Sequence, residues 1–387
     1  MGNKNYFLSV DIGTQSIRVG LIDYSGEIHF IISEDYETNY EKGNKVTQNP
    51  EDWWQSFIKC INKINKKIDE NDIKKYNIQA MSICATSSTV LGVDKNGEVL
   101  TEGIMWMDKR AHYEAEEINN INSDYLKYSG GAVSAEWMVP KMKWLKENRP
   151  DIYKKSDFII EQLDWFNYKL TKKWVVSKCN ATCKWNYVDS LGGWSNEFMN
   201  KIGLEDYKSK WPNKVLEVGE VIGGIDKSIA DKLNLPDHIK IIQGAIDAHT
   251  ALLGMGITRP KELGMIMGSS FVHLALSENP IFNEGLWGPY ENAVINNYWL
   301  LEGGQTSGGS INRWFRDNFA KDLKENAFQK LSEEASNIPP GSEGLVVLDF
   351  WQGNRTPYKD PLLKGNIYGL RLLHTRGHIY RAILEGV

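Results

Sequence analysis

Apolar runs of strand length recur along the chain, and several stop at glycine or hydroxyl residues before a second apolar run begins. Residues 6–23, YFLSVDIGTQSIRVGLID, give a strand, a polar turn of Gly13, Thr14, Gln15 and Ser16, and a second strand from Ile17 to Ile22, which predicts a hairpin. The period then changes. Asn49 is placed to cap a helix, with Pro50 in the first turn and Glu51 and Asp52 set against the helix dipole. Phe57, Ile58, Ile61, Ile64 and Ile68 keep helical spacing to about Asp69, so this helix is expected to pack on a sheet. A strand is predicted over Ile78 to Ala85, then Thr86, Ser87 and Ser88, then a second strand over Thr89 to Val93 closed by Asn96-Gly97. Helical segments follow at about 111–119, 140–147 and 157–170, and the chain reads as looped from Gly192 to Gly224.

The stretch IKIIQGAIDAHTALLGMG, residues 239–256, organises the rest. An apolar strand ends at Gly244, and the helical pattern that follows begins beside a single carboxylate, Asp247. A strand turning into a helix delivers a side chain to the carboxyl edge of a sheet, where α/β proteins build their sites. Asp247 therefore reads either as a catalytic acid or as the N-cap of the following helix. A domain boundary near residue 243 is expected. Beyond it, Leu263 to Met267, then Gly268, Ser269 and Ser270, then Phe271 to Leu276 repeat the strand, glycine-hydroxyl turn and strand of residues 6–23. A strand over Tyr298 to Leu301 leads to Glu302 and a flexible run from Gly303 to Gly309, and helices are expected over about 310–319 and 375–387.

Length and charge narrow the function. At 387 residues the chain calls for two domains. The net charge of -5, with no long basic run, argues against a nucleic-acid partner. No apolar stretch has the length of a membrane span and the N-terminus has no signal core, so a cytoplasmic protein is expected. Cys60, Cys84, Cys179 and Cys183 lack paired metal-site spacing, and a disulfide scaffold is not supported. The turn at Gly13, Thr14 and Ser16 reads as an ordinary hairpin turn or as a cradle for a phosphate oxygen, with Asp11 able to hold magnesium through water. Lys184, the one cation in a patch of small and aromatic residues, reads as a solvent-seeking side chain or as a substrate contact.

Taken in order, DIGTQS, NPEDWW, GAIDAHTA, MGSS and EGGQ resemble the FGGY carbohydrate kinases over essentially the whole chain. Asp247-Ala248-His249 looks like the ribulokinase branch of that family, and TRPKELGMIMGSSFVHL, NPIFNEGLWGPY, WLLEGGQTSGG and FWQGNRTP look most like its D-ribulokinase-type members. The resemblance implies an α/β, two-domain actin-like, RNase H-like ATPase fold, with a sugar-binding domain over 1–243 and an ATP-binding domain over 244–387 whose second part is cut short. It implies an ATP-dependent kinase that uses Mg2+ and transfers the γ-phosphate to a ketopentose, with ribulose expected. Asp247 would be the general base. Ala85, Lys184 and Glu302 would join it around the sugar. Asp11, Gly13, Thr14 and Ser16 would hold phosphates and hydrated magnesium from one domain, and Gly268, Ser269 and Ser270 from the other. A homodimer is the family expectation for partners. The family's final helix continues past the equivalent of Glu385-Gly386-Val387 into a glycine-rich adenine pocket, so weak or no activity is expected of these residues alone. The competing readings are a kinase for another ketose or polyol such as xylulose or erythritol, and a non-catalytic sugar-binding homologue.

Overall fold

The computed structural model describes residues 5–360 and 362–387. The chain divides into two compact units, one running to Thr258 and taking in Ser277–Phe282 and Gly288–Leu300, the other made of Arg259–Leu276, Asn283–Trp287 and Leu301–Val387.

The first unit is built on a six-stranded sheet. Its elements are β1 (Tyr6–Ile12), β2 (Ser16–Asp23), β3 (Ile28–Asp35), α1 (Pro50–Glu70), β4 (Ile78–Ala85), α2 (Gln162–Thr171), α3 (Lys178–Lys184), β5 (Val221–Gly224), β6 (Lys240–Ile242) and α4 (Asp247–Gly254), and the strand order is β5-β6-β4-β1-β2-β3. β1, β4 and β6 run parallel at its centre, with Asp11 opposite Cys84 and Ile12 opposite Ala85. β2, β3 and β5 are antiparallel to their neighbours. In β1, Tyr6, Leu8, Val10 and Ile12 are buried at every second position, as a strand with one face in the core requires.

α1 begins as its sequence dictates: the Asn49 side chain accepts the Glu51 N–H and Pro50 occupies the first turn. Trp53, Trp54, Phe57, Ile61, Ile64 and Ile68 form its buried face and share one core with Leu163, Trp165 and Phe166 of α2. Residues 158–170 are not one helix. Phe158–Glu161 is a strand paired antiparallel to Val90–Val93, and the helix starts only at Gln162, where Glu161 and Asp164 form a reciprocal cap. Four apolar or acidic residues bounded by a cap carry no period that separates strand from helix. The stretch from 192 to 224 is likewise more ordered than its glycines predict, with helices at Asn196–Lys201 and Tyr207–Lys210 and the edge strand β5.

The second unit carries β7 (Leu263–Met267) and β8 (Phe271–Ser277), an antiparallel hairpin turning through Gly268, Ser269 and Ser270. β9 (Trp287–Glu291), counted with the first unit from Gly288 on, and β10 (Trp299–Gln305), counted with the second from Leu301 on, belong to a sheet of order β7-β8-β10-β9. The helices α5 (Gly309–Phe319), α6 (Ala327–Ser336) and α7 (Arg376–Gly386) enclose a core of Ile311, Phe315, Leu331, Leu345, Tyr380 and Ile383. The glycine run after Glu302 is not a flexible loop. Its first part is the end of β10, and Cβ atoms at Gly304, Gly308 and Gly309 would meet Phe271 O at 2.5 Å, the Phe271 ring at 2.5 Å and Gly268 O at 2.7 Å. These glycines let two backbones approach.

Candidate active site

The carboxyl ends of the three parallel strands of the first unit bring Asp11, Cys84, Ala85 and Asp247 to one edge. Gly244 makes this possible: a Cβ there would lie 1.6 Å from the Ile83 carbonyl oxygen, so only glycine lets the chain leave β6 against β4. Ala85 N then bonds Ala245 O at 3.3 Å, Ala85 bridges Ile246, and the Ser177 hydroxyl donates to Gly244 O at 2.8 Å.

Asp247 is not the helix cap. Ile246 occupies that position, and Asp247 is the first residue of α4, its Oδ1 accepting the Ala248 N–H at 2.6 Å. The side chain is half-buried. Burial pushes its carboxyl up to about 6; Asp11 pushes in the same direction, while the Ala248 N–H, His249 and Arg18 pull against it. An acid near 6 is ionised at neutral pH yet binds a proton readily. Burial, with Asp11 and Asp247 adding to it, also pushes the Cys84 thiol up to about 12, so no thiolate competes at this edge.

The turn after β1 is held from three sides. The Gly13 N–H donates to Ser16 O at 3.0 Å, closing the turn, so this amide is committed to the hairpin. Tyr36 donates its hydroxyl to Gly13 O and lies 3.2 Å from Ser16 O. Gln48 Nε2 donates to Thr14 O at 2.7 Å, and Trp106 Nε1 donates to Thr14 Oγ1 at 3.1 Å. A hydroxyl that accepts one bond keeps its own proton to give away, so Thr14 can still donate. Asp11 takes Arg18 Nη1 on Oδ2 at 2.7 Å, with its side chain one-third exposed at 33%. Ser16 is buried at the start of β2.

Lys184 ends α3 and is buried, its ammonium 4.9 Å from the centre of the Trp137 ring and 5.5 Å from that of Tyr290. It does not reach out to solvent. In the second unit, Glu302 is buried on β10, and the Gly268-Ser269-Ser270 turn is supported by Gly308, Gly309 and Ser310, whose N–H groups bond Ser269 O and Gly268 O at 2.9 to 3.1 Å. Gly268 and Ser269 are exposed and Ser270 is half-buried, beside the start of α5. The predicted residues thus fall into two groups: Asp11, Gly13, Thr14, Ser16, Ala85, Lys184 and Asp247 in the first unit, and Gly268, Ser269, Ser270 and Glu302 in the second. Tyr36 and Gln48 gave no signal in the sequence as supports of this turn, because each reaches it across many residues of chain.

The chain matches the FGGY family of carbohydrate kinases twice, by its N-terminal domain over residues 6–254 and by its C-terminal domain over 263–387. It is 31% identical to an FGGY carbohydrate kinase domain-containing protein of Xenopus laevis, across 100% of this chain and 77% of that one. It is 30% identical to a ribulokinase of Halalkalibacterium halodurans, across 98% of this chain and 74% of that one. The structure is similar to the ligand-bound xylulose kinase of Lactobacillus acidophilus, with a TM-score of 0.87 at 23% identity over 99% of this chain and 76% of that one. The chain belongs to the FGGY carbohydrate kinases, phosphotransferases that act on sugars. The family implies ATP as the phosphoryl donor.

Among the described residues, no helix is long and apolar enough to cross a membrane.

Proposed function

We propose that the protein is an ATP- and magnesium-dependent ketopentose kinase with ribulose as its substrate, and that Asp247 is its general base. The observation that carries the reading is a half-buried carboxylate at the end of three parallel strands, with a proton affinity raised toward neutrality beside a second acid, Asp11. Asp247 accepts the proton of the attacking sugar hydroxyl as its oxygen bonds to the γ-phosphorus and the bond to the leaving ADP oxygen breaks. A base is needed only as the hydroxyl becomes acidic during attack, so a carboxylate that gains protons near pH 6 suffices.

Ala85, Lys184 and Glu302 bind the ketopentose. Lys184 contributes a cation held between two aromatic faces, and Glu302 a buried acceptor for hydroxyl protons. Thr14 donates to phosphate oxygen with its hydroxyl oriented by Trp106. Gly13 and Ser16 shape that turn, and Gly268, Ser269 and Ser270 supply the corresponding turn of the second unit. Asp11 fits a hydrated magnesium ion: it is a hard oxygen donor, partly exposed, with Arg18 holding Oδ2 and thereby fixing the carboxylate plane. Magnesium bound there would neutralise phosphate charge.

Ribulose rather than another sugar is supported by Asp247-Ala248-His249 and by the name of the Halalkalibacterium halodurans relative. A coupled ADP-release assay over ribulose, xylulose, erythritol and glycerol, run on these residues and on a version extended at the C-terminus, tests the choice. The reading expects the highest kcat/KM with ribulose; a higher value with any of the others reassigns the substrate.

A further inference from the structure

Lys141 lies in the helix Met138–Asn148 and is completely buried. A buried ammonium is costly unless its hydrogen bonds are made. Its Nζ donates to two backbone carbonyls, Ser88 O at 2.8 Å and Met105 O at 2.6 Å. Each acceptor belongs to a segment that leads to the candidate site. Ser88 stands three residues past Ala85, just beyond the end of β4. Met105 precedes Trp106, whose indole N–H holds the Thr14 hydroxyl.

We propose that Lys141 is a positioning residue: one ammonium ties the segment after β4 to the segment before Trp106, and so sets the Thr14 hydroxyl and the Ala85 end of the sugar site together. This rests on the assignment of Thr14 to phosphate and Ala85 to sugar. A plain core filler at this position would be apolar, because methionine has nearly the same length and needs no partner. Among the described residues its hydrogen bonds go to carbonyls and not to a carboxylate, while acids stand around it. Asp108, Glu136 and Glu161 favour its charge, Arg110 opposes it, and Arg110 is itself forked onto Asp108 at 2.7 and 2.9 Å. Asp108 also takes the Val46 N–H at 2.6 Å, so the 105–110 segment is fixed at both ends. Burial still pulls the Lys141 amine down to about 7, which is a cost the fold carries here. Unlike a spacer of fixed length, the ammonium donates to both carbonyls at once and holds the two segments at a set separation.

The test compares the intact chain with Lys141→Met, Trp106→Phe and Thr14→Ala by hydrogen exchange of segments 13–16, 86–90 and 103–110, and by KM for ATP and for ribulose. Lys141→Met is expected to speed exchange in all three segments, to leave β1 and β4 protected, and to raise both KM values about tenfold, the loss of a charge-assisted bond. Trp106→Phe is expected to loosen 13–16 while 86–90 stays as it was, which keeps the link testable if Lys141→Met does not fold. A Lys141→Met protein that loses stability but keeps wild-type exchange at 13–16 and wild-type KM values overturns the proposal. So does unchanged exchange at 13–16 in Trp106→Phe. Thr14→Ala separates the two assignments: if it leaves KM for ATP unchanged while Lys141→Met loosens 13–16, the phosphate role of Thr14 is wrong and the linkage stands.

Discussion

Replacing Asp247 with Asn is expected to make the protein more stable at neutral pH while removing its chemistry. Burial lifts this carboxyl from its ordinary 3.8 to about 6. Between those values the folded chain keeps a proton that the unfolded chain has released, so stability falls as pH rises through the window and levels off above about 6. At 1.36 kcal/mol for each tenfold change in proton affinity, the penalty at pH 7 is about 3 kcal/mol, nearer about 2 once partial exposure is allowed for. Asn carries no charge, and its amide oxygen can still accept the Ala248 N–H. Urea unfolding followed by the fluorescence of Trp53, Trp165 and Trp185, all buried in the first unit, measures the difference. Asp247→Asn should exceed wild type by about 2 to 3 kcal/mol at pH 7.5 and converge with it near pH 3.5. Equal or lower stability of the variant at pH 7.5 refutes the idea that this acid is held charged against the preference of its surroundings.

The same proton affinity sets the rate profile: kcat/KM for ribulose should fall about tenfold for each pH unit below about 6 and be flat just above it, and a profile flat down to pH 5 contradicts Asp247 as base. Gly244→Ala places a Cβ 1.6 Å from Ile83 O, so β4 and β6 must part; a loss of about 3 to 5 kcal/mol in denaturant is expected, and a loss under about 1 shows the junction to be slack. Asp11→Asn should raise the Mg2+ concentration for half-maximal rate about tenfold with KM for ribulose unchanged; an unchanged Mg2+ dependence removes Asp11 from the metal site.

The parts of the fold written in local chemistry were legible. The 6–23 hairpin, the Asn49 cap with Pro50, and the strand-to-helix junction at Gly244 each follow from a few adjacent residues, and each stands in the structure. What could not be read depends on distant chain. Phe158–Glu161 becomes a strand because Val90–Val93 lies beside it, and Gly303 to Gly309 is ordered because Phe271 and Gly268 press against it. The acids and hydroxyls of the site stood out through their place beside glycines. Their supports did not: Tyr36, Gln48 and Lys141 act over tens of residues, and no period or motif marks those contacts. Lys184 shows the same limit from the other side, since its burial against the rings of Trp137 and Tyr290 is set by distant chain.

The general-base assignment is tested most directly by the ratio of ribulose-dependent ADP release between wild type and Asp247→Asn, with ribulose binding to each measured by calorimetry. The assignment predicts a fall of at least about a hundredfold in rate with binding retained within about threefold. Comparable rates in the two proteins would contradict it.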